Sequence, residues 1–241
     1  MRLLFLQNDL GSPAGVLLEE AEAHGAQCSV VIPYQGISRD PDLPGRVPDS
    51  PDGFDGIVVL GGVMSVNDEA RYPFIEETRA LLRRFADADK PIMGVCLGSQ
   101  LLASAFGARV HRLPEMEWGF LPQQWTEAGR ADPLLAGAAD DLHVMQWHSD
   151  TFDLPDGAEL LATRGPCPHQ AFRIGRKIYG FQFHLELTTE TIWHWADLRV
   201  AETGAPRAHV HAQVAAEVDA HYEEQADFAR RVMRRWMDLT G

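Results

Sequence analysis

Along the first half of the chain, apolar residues keep two rhythms in turn. Four stretches, Arg2 to Leu6, Cys28 to Pro33, Phe54 to Leu60 and Pro91 to Val95, are apolar almost without interruption and too short for helices, so each predicts a strand. Between them the spacing changes to that of a helix. Val16, Leu17, Leu18 and Ala21 mark one buried stripe, which stops at Gly25. Phe74, Ile75, Thr78, Leu81, Leu82 and Phe85 mark a second, with Glu76, Glu77, Arg79, Arg83 and Arg84 on the opposite face. Leu101, Leu102 and Phe106 mark a third helix, Leu97 to Phe106, with Gly107 as its C-cap. Unbroken apolar strands belong to a parallel sheet covered on both faces, and strands alternating with helices imply right-handed crossovers.

The pattern changes after His111. Gln123 to Thr126, His143 to Gln146, Glu159 to Thr163 and Gln170 to Ile174 read as short strands between Pro and Gly turns, which predicts a second, partly antiparallel layer. Ile178 to Glu186 is a last strand, and Thr191 to Glu202 and Ala208 to Leu239 are terminal helices. Val210, Val214, Val218, Tyr222, Phe228, Val232, Trp236 and Leu239 form a stripe along the last helix. That stripe covers the chain's own core or, alternatively, contacts a partner. The length of 241 residues fits one domain, divided here into a core over 1–190 and a helical extension over 191–241.

Composition narrows the function by exclusion. No apolar run approaches the roughly 20 residues that a membrane span needs. The opening apolar run is cut at once by Gln7, Asn8 and Asp9, unlike a signal peptide, so a cytoplasmic protein is expected. A net charge of −14 disfavours nucleic acid, whose phosphates call for clustered Lys and Arg. Cys28, Cys96 and Cys167 show no CxxC spacing, so neither a disulfide framework nor a metal site is expected. There is no phosphate-binding Gly-x-x-x-x-Gly-Lys, and no cofactor is expected.

Cys96 is set apart by its setting. It lies between Gly94 and Gly98 where a buried strand meets a helix, the thiol counterpart of a Gly-x-Ser-x-Gly nucleophile elbow. A helix N-terminus favours negative charge and so the reactive thiolate. Cys28 and Cys167 lack that context and read as small buried hydrophobes. On the strand ending at Glu186, Gln182, His184 and Glu186 share one face because side chains alternate. A histidine with a carboxylate two residues on suits a base and its orienter.

The segment Pro91 to Gly107, PIMGVCLGSQLLASAFG, resembles the nucleophile segment of the class I glutamine amidotransferases. Gly61-Gly62-Val63-Met64-Ser65 resembles the family's oxyanion glycine loop, with Val63 where Pro is usual. Gly180 to Glu186 resembles its G-x-Q-F-H-P-E end, with Leu185 in place of Pro. Met145 to Asp150 is similar to its pocket-lining His-Ser-Asp loop, and Glu117-Trp118-Gly119-Phe120 to an E-x-G-W segment. The resemblance implies a three-layer α/β sandwich of flavodoxin-like type with a mostly parallel sheet. It implies Cys96, His184 and Glu186 as catalytic residues, with oxyanion donors from the Gly62-Val63 turn and Leu97, and Gln100, Ser149 and Asp150 at the substrate. Three functions compete: a glutaminase passing ammonia to a separate synthase, in which docking or a homodimer is expected; a self-contained γ-glutamyl hydrolase; and a catalytically silent binding protein.

Overall fold

The computed structural model describes residues 1–240. The chain begins as the apolar rhythm predicts, with strand β1 (Arg2–Leu6), helix α1 (Gly15–Ala23), strand β2 (Gln27–Ile32) and a short edge strand β3 (Ile37–Ser38). After the Pro- and Gly-rich loop come β4 (Gly56–Val59), α2 (Phe74–Asp87), β5 (Ile92–Val95) and α3 (Leu97–Ala105). β2, β1, β4 and β5 lie side by side in parallel.

Both faces of these strands are buried, for a reason visible residue by residue. Leu3 and Phe5 of β1 and Val58 of β4 join one core with Val16, Leu17 and Ala21 of α1. Leu4, Leu6, Ile57 and Val59 join the other, with Ile75, Leu82 and Phe85 of α2 and Leu101 and Leu102 of α3. The buried positions of these strands are therefore apolar on both faces, with Ser29 of β2 the polar exception.

The second half departs from expectation in its pairing. It contains β6 (Val110–Pro122), β7 (Gln124–Trp125), α4 (Glu127–Ala131), β8 (His143–Phe152), β9 (Ala158–Thr163), β10 (Ala171–Ile174) and β11 (Ile178–Phe181). β11 lies parallel to β5, and β10, β9 and β7 continue the same sheet in antiparallel fashion, giving nine strands. The expected second layer is thus mostly a wing of the first sheet. Only β6 and β8 form a separate ribbon, and β6 was not foreseen. Pro114 breaks its pattern and the register shifts between Arg112 and Glu117, so periodicity does not reveal a strand there.

The last predicted strand ends early. After Phe181 the chain leaves the sheet: Gln182 N–H donates to Gln170 O at 2.8 Å, and His184 N–H to Met145 O of β8 at 2.9 Å. The alternation survives, since Phe183 and Leu185 enter the core while Gln182, His184 and Glu186 face away from it.

Two helices complete the chain, α5 (Thr189–Thr203), started by the Thr188 side chain accepting from Thr191 N–H, and α6 (Arg207–Met237). The α6 stripe covers the chain's own core. Phe228, Val232 and Trp236 pack on the sheet, while Val210 and Val214 pack on α5 and the β6–β8 ribbon, with Val218 and Tyr222 half-buried beside them. No helix among the described residues is long and apolar enough to cross a membrane.

Candidate active site

Cys96 sits at the C-terminal edge of the sheet, where β5 turns into α3. Its φ of +51° lies in the left-handed region that a side chain seldom occupies, so the thiol is held in a strained elbow. The flanking glycines make the turn sterically feasible: a Cβ on Gly98 would lie 1.9 Å from the Val59 carbonyl oxygen, and one on Gly94 would lie 2.6 Å from that of Gly98. Cys96 N–H donates to Phe181 O at 2.8 Å, which ties the elbow to the strand that leads to His184.

His184 and Cys96 converge over Gly61, whose absent Cβ would lie 3.2 Å from the imidazole Cε1 and 3.6 Å from the Cys96 Cβ. Nδ1 of His184 is 2.7 Å from Oε1 of Glu186, and both side chains are buried. Burial works against an imidazolium here. The negative charges of Glu186 and Cys96 outweigh it and push His184 up to about 10. The other cysteines are different: burial, aided by Glu22, pushes Cys28 up to about 12, and burial pushes Cys167 up to about 11. Both are poor nucleophiles.

Trp195 of α5 packs edge to face on His184, with ring centroids 4.6 Å apart, and its Nε1–H donates to Gly11 O at 2.8 Å. Trp147 of β8 stands beside it at 5.3 Å. Together with Met116 and Leu198 they wall one side of a cleft of about 540 Å³ that also exposes Cys96, Gln100, Ser149 and Asp150. Gln100 uses its amide N–H groups internally, donating to Asp150 O at 3.0 Å and to Gln182 Oε1 at 3.2 Å, so its oxygen is the atom left for a ligand. Ser149 and Asp150 lie on β8 rather than in a loop, and Asp150 accepts from Ser65 Oγ at 2.7 Å.

The oxyanion candidates are also at the cleft. Leu97 opens α3, where the first N–H groups have no intrahelical partner. The Gly62-Val63 turn lies across from it, but Val63 N–H donates to Asp9 Oδ2 at 3.0 Å. Asp9 and Trp195 were not singled out from the sequence. For Asp9 a signal was present: Gln7-Asn8-Asp9 places three polar residues at the C-terminal end of a buried parallel strand, the edge where such sheets bind ligands.

Glu117 and His148 form a structural brace behind the cleft. Glu117 Oε2 is 2.9 Å from His148 Nε2 and accepts from Gln170 Nε2 at 2.8 Å, and Arg164 pairs with Oε1. Burial opposes the Glu117 charge, yet these partners hold its carboxyl below the usual range. Cys167 lies close enough to complete a three-ligand set with them. The Glu117 carboxylate in that set is already paired with the Arg164 guanidinium.

The arrangement has counterparts in known proteins. Residues 16–192 match the family model of the class-I glutamine amidotransferases. The chain is 36% identical over 195 residues to a glutamine amidotransferase-like protein, YfeJ, of Salmonella typhimurium, covering 80% of this chain and 78% of that one. It is 30% identical over 138 residues to one subunit of a glutamine-hydrolysing GMP synthase from Thermoplasma acidophilum, covering 56% of this chain and 65% of that one. Its fold matches the crystal structure of a glutamine amidotransferase from Methylobacillus flagellatus with a TM-score of 0.84 at 26% identity, over 99% of this chain and 94% of that one. The chain belongs to the class I glutamine amidotransferase family.

Proposed function

We propose that the chain hydrolyses the side-chain amide of glutamine through a thioester on Cys96 and passes the ammonia to a separate acceptor enzyme. The observation that carries this reading is the buried His184–Glu186 pair, 2.7 Å apart, beside a thiol held in a positive-φ elbow. The Cys96 thiolate attacks the amide carbon, and the carbonyl oxygen becomes an oxyanion. His184 gives its proton to the departing nitrogen, which leaves as ammonia, and the thioester remains. His184 then takes a proton from water, whose oxygen attacks the thioester, and glutamate departs as Cys96 is regenerated. Glu186 fixes the His184 tautomer and stabilises its cation. Leu97 N–H and the Gly62-Val63 turn are the oxyanion donors, each worth on the order of 3 kcal/mol of barrier lowering. Gln100, Ser149 and Asp150 hold the amino-acid end of the substrate.

The separate acceptor is supported by the relative named as one subunit of a GMP synthase. Ammonia released into neutral water protonates and loses its nucleophilicity, so such a subunit docks close to its acceptor. A second reading, a self-contained γ-glutamyl hydrolase, is favoured by the apolar wall of Met116, Trp147, Trp195 and Leu198, which a primary amide does not require. Ammonium release from glutamine, set against amine release from a panel of γ-glutamyl peptides, separates the two. In either case Cys96→Ala abolishes turnover while the fold persists, and a glutamine-analogue alkylator labels Cys96 and spares Cys28 and Cys167. Labelling of another cysteine with Cys96 untouched would overturn the site assignment.

A further inference from the structure

We propose that Arg112 is a specificity-determining residue that holds the α-carboxylate of the substrate while Asp150 holds its α-ammonium, so that the cleft accepts only compounds with a free α-amino-acid end. The inference rests on the glutaminase reading. Its starting point is charge. An amino-acid end brings a negative group into a cleft lined by Asp9, Asp68, Asp150 and Glu202, in a chain of net charge −14. Among the described residues, Arg112 is the one Lys or Arg side chain that lines this cleft. The imidazoles there are committed to other carboxylates, His184 to Glu186 at 2.7 Å and His148 to Glu117 at 2.9 Å.

Strand register brings Arg112 to Asp150. The two are partners across β6 and β8, as are Val110 and Phe152 two residues away. Directly opposed side chains of an antiparallel pair share a face, with Cβ atoms about 4.5–5.5 Å apart. These two charges nevertheless do not pair. The neighbouring Arg109 and His111 are both engaged by Asp153, at 3.4 and 3.2 Å, whereas Arg112 has no ion-pair partner among the described residues. On Asp150, Oδ2 accepts from Ser65 Oγ at 2.7 Å, which leaves Oδ1 for an ammonium group. The main-chain oxygen of Asp150 accepts from Gln100 Nε2 at 3.0 Å, so the pair stands at the end of the cleft assigned to the amino-acid group. A cation and a carboxylate side by side and unpaired match the two charges that an α-amino acid carries on one carbon. The strand is also shaped for this. Between Arg112 and Glu117 the register shifts, so that Leu113 to Met116 stand opposite Ser149 alone. Leu113, 7% exposed, anchors this bulge, and Arg112 and Met116 on either side of it both reach the cleft. Bulges beside a site re-aim side chains in this way.

Glutamine and its α-amide, glutaminamide, differ only at the group assigned to Arg112, and binding can be read apart from turnover. Calorimetric titration of the full chain carrying Cys96→Ala should give a dissociation constant for glutamine on the order of 10- to 100-fold below that for glutaminamide, the worth of hydrogen bonds between charged groups. Adding Arg112→Gln should raise the constant for glutamine by the same order and leave that for glutaminamide nearly unchanged, so that the preference disappears. Arg112→Lys should keep part of it, since an ammonium supplies charge without the two-pronged fork of a guanidinium. With Cys96 in place, both substitutions should raise KM for glutamine and leave kcat nearly level. A preference that survives Arg112→Gln, or a loss equal for both ligands as a merely structural role would give, overturns the assignment. Where the wild-type chain in that case releases ammonia from glutamine, the glutaminase reading stands and the role of Arg112 alone falls. A wild-type chain that releases neither ammonia from glutamine nor amine from γ-glutamyl peptides overturns that reading, and the role of Arg112 with it.

Discussion

Glu186 is fully buried, and a buried carboxylate is tolerated only when paired, so its bond to His184 Nδ1 is part of the fold as well as of the proposed chemistry. His184→Ala should lower kcat nearly to the level of Cys96→Ala. Glu186→Gln should cost less, because the amide oxygen still accepts from Nδ1–H but no longer stabilises the cation. The double variant should be no worse than His184→Ala, since residues acting in series on one thiol are not additive. Steady-state ammonium release checks all three, and full activity in purified His184→Ala would transfer the role of base to another histidine such as His148. The same pair makes stability depend on pH. His184 is raised from 6.5 to about 10, so the folded chain holds a proton that the unfolded chain loses between those values. The contribution is complete below pH 6.5 and disappears as pH rises through about 10. Urea midpoints measured at pH 6 and pH 9.5 should fall further apart for the wild type than for His184→Asn; an equal fall would contradict the pairing.

At the scale of elements, the elbow depends on how closely α3 approaches β4. Gly98→Ala places a methyl group 1.9 Å from a backbone oxygen that cannot rotate away, and should cost at least the roughly 1–3 kcal/mol typical of overpacking. Trp195→Ala removes a wall of the cleft that is 3% exposed and should destabilise by about 3–5 kcal/mol while lowering kcat. Urea denaturation of each variant tests these values, and wild-type stability in either would refute the packing argument. The elements around Cys96 were legible because each has a local cause: unbroken apolar strands, helical stripes and the Gly-x-Cys-x-Gly turn. What escaped has a non-local cause. β6 carries Pro114 and a register shift, so only its partner β8 defines it as a strand. Trp195 belongs to a stretch read as extension, and only the packing of α5 on His184 brings it to the cleft. The bond from Val63 to Asp9 joins residues 54 positions apart, and neither residue type announces it.

For the whole molecule, the question is where ammonia goes. The α6 stripe is used up by the chain's own core, so the surface open to the proposed acceptor is the cleft mouth, where Val63 and Leu198 are exposed. An amidotransferase subunit should be a slow glutaminase alone and should be stimulated by its acceptor. A chain that sediments alone, brings down no synthase from native lysate and turns over γ-glutamyl peptides at full rate would favour the self-contained hydrolase.

The central claim, a covalent intermediate on Cys96, is open to one direct measurement: acid quenching of the full chain during glutamine turnover, followed by mass spectrometry of its cysteine peptides. A γ-glutamyl adduct on the Cys96 peptide, absent from the Cys28 and Cys167 peptides and from Cys96→Ala, is the predicted result. Ammonia release at the wild-type rate from purified Cys96→Ala, with no adduct on any cysteine of the wild type, would contradict it.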